Sequence, residues 1–62
     1  MKKNVVFELT IARFPIQLIK TGKGRYTVVY GVEIHEGLTY TEAAEELGFS
    51  IMHALTCEGK LD

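Results

Sequence analysis

From Asn4 to Ala12 apolar and polar side chains alternate, with Val5, Phe7, Leu9 and Ile11 on one side and Asn4, Glu8 and Thr10 on the other. A two-residue period in β-branched and aromatic residues predicts a half-buried strand over about 4–12. At Phe14 the parity switches, because Phe14, Ile16 and Leu18 now form the same-face set. Such a switch requires a bulge, a bend or a change of strand, and Pro15, which cannot donate to a ladder, sits beside it. A second strand is expected over about 14–20. The third run is the clearest: Tyr26, Val28, Tyr30, Val32 and Ile34 alternate with Arg25, Thr27, Val29, Gly31 and Glu33, predicting a strand over about 26–34.

Pattern also selects a register. Setting Leu18 against Val28 aligns Ile16 with Tyr30 and Phe14 with Val32, and leaves residues 21–25 as a five-residue loop. A slip of one residue would put Leu18 against Thr27 and mix the two faces. The first strand either extends this hairpin or flanks it, and its edge could then pair with a second chain.

His35-Glu36-Gly37 reads as the end of the sheet. Thr39 is a candidate N-cap, and Glu42, three residues on, completes a capping box. A short helix is expected over about 40–47, burying Ala43, Ala44 and Leu47, with Gly48 suited to the left-handed residue that ends it. Ser50 then caps a second short helix over about 51–58, where Ile51 and Leu55 make an i,i+4 pair. Strands followed by two helices describe a single small α+β domain over residues 1–62.

Leu38-Thr39, Glu42-Ala43-Ala44, Leu47-Gly48, Ser50, Leu55 and Gly59 together resemble the helix-turn-helix of the excisionase and MerR-like families. In that pattern small alanines let two helices cross and a glycine makes the turn between them. The resemblance covers residues 38–61 and implies a second helix that reads DNA, presenting Ser50, Met52, His53 and Thr56. By analogy it also suggests an accessory protein of a phage or mobile element. Here the second helix is shorter than the family's, and Ser50 to Glu58 contains no Lys or Arg. Lys and Arg supply most non-specific affinity for nucleic acid, so the charge opposes that role.

Charge is divided along the chain. Residues 1–30 carry six basic side chains against Glu8 alone, whereas residues 31–62 carry Lys60 against six glutamates and Asp62. Two candidate surfaces follow. Glu42, Glu45 and Glu46 form an acidic helical face for a protein partner. Lys20, Lys23 and Arg25, on a glycine-rich loop with Tyr26 and Tyr30 nearby for stacking, form the alternative, a nucleic-acid contact.

Size limits the rest. A chain of 62 residues buries only about 60% of its unfolded surface and needs a disulfide, a metal or a partner to be robust. Cys57 is the single cysteine, so no intrachain disulfide forms and a reducing, cytoplasmic setting is expected. His53 and Cys57 share a helix face, but with His35 or Glu36 they make no recognisable zinc set. The expectation is therefore a homodimer without cofactor or metal. No apolar run approaches the roughly 20 residues of a membrane span. Nor do the carboxylates or the Cys–His pair suggest a shaped catalytic pocket, so an enzyme is not expected. What remains is a small binding or regulatory module with a protein partner.

Overall fold

The computed structural model describes residues 4–61, so Lys2, Lys3 and Asp62, which contribute to the charge division, lie outside it. Four strands, β1 (Asn4–Ile11), β2 (Phe14–Gly22), β3 (Arg25–Tyr30) and β4 (Glu33–Leu38), form one antiparallel sheet in sequential order. One helix, α1 (Tyr40–Cys57), packs on one face of it, chiefly against β2 and β3. The register selected by the apolar pattern is adopted, with Leu18 opposite Val28 and Ile16 opposite Tyr30. β1 flanks the hairpin, with Leu9 opposite Ile16 and Phe7 opposite Leu18. The parity switch at Phe14 is thus a change of strand. Ile16 and Val28 are fully enclosed; Ile19, Ala43 and Ala54 complete the buried apolar set of the described residues.

Several expectations need correction. The run expected as one strand over 26–34 is two strands joined by a two-residue turn, Gly31-Val32. Gly31 takes φ +61°, the first central position that type II′ hairpins reserve for glycine. Val32, expected opposite Phe14, is 97% exposed at the tip, and Phe14 faces Ile11 instead. The loop expected over 21–25 also tightens, since the ladder continues to Gly22 and Arg25 and leaves Lys23-Gly24 as the turn.

His35-Glu36-Gly37 does not end the sheet but forms the middle of β4. The ladder shifts register between Tyr26–Leu38 and Val28–His35, and Gly37 takes a left-handed φ of +69° there. A glycine absorbing such an irregularity looks locally like a strand terminator.

The two short helices, about 40–47 and 51–58, are one. α1 runs through Gly48, which lacks a left-handed φ. Ser50 is no cap: it is buried, and its hydroxyl donates to the Glu46 carbonyl at 2.8 Å. A glycine inside a helix costs only about 1 kcal/mol. Burying Ala43, Ser50 and Ala54, one stripe of a continuous helix, outweighs that cost. The Thr39 cap holds: its Oγ accepts from the Glu42 N–H while the Glu42 carboxylate accepts from the Thr39 N–H.

The β1–β2 turn stores strain. Ala12 (φ 52°) and Arg13 (φ 69°) are both left-handed, as a type I′ turn requires, yet neither is Gly or Asn. The double substitution Ala12→Asn with Arg13→Gly, which installs the dipeptide this turn prefers, is expected to stabilise the domain by about 1–2 kcal/mol. Urea unfolding at fixed protein concentration measures it.

Candidate binding surfaces

The acidic face is smaller than its sequence suggests. The Glu42 carboxylate is committed to the capping box, at 2.9 Å from the Thr39 nitrogen. Glu46 lies 3.7 Å from His35 Nε2, which also approaches Glu33 at 3.6 Å. Glu45 is exposed on the outer side of α1.

Lys20, Lys23 and Arg25 gather at one end of the sheet, around the Lys23-Gly24 turn, and all three are exposed. Arg25 reaches across to donate to the Gly37 carbonyl at 3.4 Å. The aromatic platform expected beside them does not form. Tyr26 is half-buried against Tyr40, edge to ring at 6.3 Å, and Tyr30 lies at the opposite end of β3 beneath α1.

Tertiary folding also builds a cleft that no local motif announced. Strand β4 and its turn bring Glu33 and His35, two residues apart and therefore on one face, opposite Glu46, Phe49, Ser50 and His53 of α1. Tyr30 closes the floor of this space of about 380 Å³. The Tyr30 hydroxyl and His53 Nδ1 share a hydrogen bond at 2.7 Å, and Phe49 stacks parallel to the His53 ring at 6.1 Å. The only legible signal was the i, i+3, i+4, i+7 spacing of Glu46, Phe49, Ser50 and His53, which appears once the helix is read through Gly48.

The chemistry of the cleft is structural in what it has already paired. Ser50 spends its proton on a backbone carbonyl, and His53, which shares a helix face with Cys57, is bonded to Tyr30. Cys57 is exposed. Among the described residues no group of three or more His, Cys, Asp or Glu is placed to hold a metal ion.

Desolvation pushes the Tyr30 phenol above its ordinary range, helped by the nearby charges of Cys57 and Glu33. Its folded value exceeds its unfolded one. The stabilisation is therefore full below about pH 10 and is lost as pH rises through the folded value. Ultraviolet titration is expected to show one phenol ionising late, and Tyr30→Phe to remove that transition.

The sheet has two unlike edges. β4 is short, carries Glu33 and Glu36, and is interrupted at Gly37. Charges and irregularities of this kind blunt an edge against further pairing. β1 has eight residues, a single charge at Glu8, and Val5, Val6, Phe7 and Leu9 exposed. Because α1 packs chiefly over β2 and β3, the helix-side residues Phe7 and Leu9 of β1 stay partly exposed. Among the described residues no helix is long and apolar enough to cross a membrane.

No family model matches the chain, and no curated protein or solved structure matches it.

Proposed function

We propose that the chain is a small non-enzymatic binding module that acts through protein contacts, with β1 as the contacting element. The observation that carries this reading is the open β1 edge, a long strand of exposed apolar residues beside unpaired backbone groups. Such an edge accepts an added strand, whose main-chain hydrogen bonds supply affinity while side-chain pockets supply selectivity. Within the acidic set the Glu42 carboxylate is committed to the helix cap, which leaves Glu45 and the partly exposed Glu46 as the carboxylates that could contribute.

The nucleic-acid alternative rests on Lys20, Lys23 and Arg25. It is weakened by the loss of the stacking tyrosines to the helix-facing side and by the absence of Lys and Arg from α1. Binding to random duplex DNA, measured at low and at moderate salt, distinguishes the two. The protein-contact reading expects no binding even at low salt. Salt-sensitive binding that disappears in Lys23→Glu/Arg25→Glu would overturn it.

A further inference from the structure

Resting on the protein-contact reading, we infer that the strand β1 accepts is β1 of a second copy, paired antiparallel about a two-fold axis through Leu9. The pairing would join two sheets into one of eight strands, with both helices on the same face.

Self-complementarity is the first argument. A two-fold axis perpendicular to the sheet preserves its faces, so each β1 residue must oppose one on its own face. Phe7, Leu9 and Ile11 lie on the helix side, across from Leu18, Ile16 and Phe14; Glu8 and Thr10 lie on the open side, across from Gln17 and Pro15. Three centres give substantial overlap. An axis through Glu8 sets two carboxylates opposite each other, which is destabilising. An axis through Phe7 sets Leu9 against Val5, but the ladder shifts between Val5 and Phe7, and Val5 lies on the Ile19 side. An axis through Leu9 pairs Leu9 with Leu9, Phe7 with Ile11 and Glu8 with Thr10. Only this register keeps apolar with apolar and separates the charges.

Two further observations favour a second copy over a foreign strand. The buried apolar set of the described residues is Ile16, Ile19, Val28, Ala43 and Ala54, two of them alanines. A core that small needs a supplement that is present whenever the chain folds, and an identical chain always is. Closure is the second. A two-fold pairing consumes both β1 edges and leaves only the blunted β4 edges outside, so assembly stops at two.

Sedimentation between about 1 and 100 µM, with circular dichroism as the folding control, tests the inference. Wild type is expected as a dimer. Leu9 is 38% exposed, so Leu9→Arg is expected to fold and to weaken dimerisation by about a hundredfold or more, as a central interface residue does. In a Cys57→Ser background, Leu9→Cys is expected to form a disulfide-linked dimer on mild oxidation, because directly opposed strand residues lie within disulfide reach. A second single variant, Phe7→Cys, is the register control and should cross-link poorly. A dimer that survives Leu9→Arg, or that cross-links through Phe7→Cys instead, overturns the inference and leaves protein contact standing. A wild type that stays monomeric at the top of that concentration range and ignores DNA overturns the second-copy assignment alone. A monomer that binds DNA through Lys23 and Arg25 overturns both.

Discussion

Ile16→Ala is expected to destabilise the domain by about 2–5 kcal/mol, the cost of emptying a fully buried aliphatic site. Ile16 is 0% exposed and central, flanked by Leu9 and Tyr30 on neighbouring strands. A domain this small holds roughly 3–5 kcal/mol in total, so much of the population should be unfolded at 25 °C. Val32→Ala is the informative control. Both residues are β-branched and both fall in the apolar register of a predicted strand. Val32, however, projects from a turn, and its truncation should change stability by no more than about 0.5 kcal/mol. Urea unfolding followed by circular dichroism gives both values. Comparable losses at the two sites would restore a single strand over 26–34 and refute the Gly31-Val32 turn.

Gly48→Pro should cost about 3 kcal/mol or more, and Gly48→Ala should add about 1 kcal/mol. The opposite signs arise from one fact: Gly48 sits inside an 18-residue helix with right-handed backbone. A methyl group there meets nothing within 4 Å, so alanine brings helix propensity without a clash. Proline would remove an internal amide donor and collide with the preceding turn. The alternative, a turn glycine between two helices, gives the reverse for alanine, because a left-handed position penalises any Cβ. A drop in stability for Gly48→Ala would therefore break α1 in two. Thermal unfolding of the two variants, at matched protein concentration, decides it.

The residues that were legible were those whose signals are local. The alternation from Phe7 to Ile11, the Leu18–Val28 register and the Thr39–Glu42 capping box each depend on neighbours within one or two elements. Val5, expected on the same face as Phe7, is moved to the other face by the ladder shift between them. The misreadings share a cause as well. Gly31, Gly37 and Gly48 are alike in sequence, yet one makes a hairpin turn, one absorbs a ladder shift and one lies in a helix. Glycine permits many backbone states, so its own identity cannot select among them. The site showed the same divide. Glu42, Glu45 and Glu46 could be grouped by spacing, but that Glu42 is spent on a cap and that Glu46 lies beside His35 depends on neighbours that only folding supplies.

By itself the sequence determined an antiparallel sheet followed by helix, the pairing of β2 with β3 and the capped start of α1, because periodicity and short-range bonds act along the chain. Tertiary structure decided the count of strands and helices. Continuous burial of Ala43, Ser50 and Ala54 against the sheet outweighs one glycine's preference to stop a helix. It also decided which edge stays open, since the placement of α1 chiefly over β2 and β3 leaves Phe7 and Leu9 partly exposed. No local pattern encodes where a helix will lie on a sheet; that follows from how the faces fill space together.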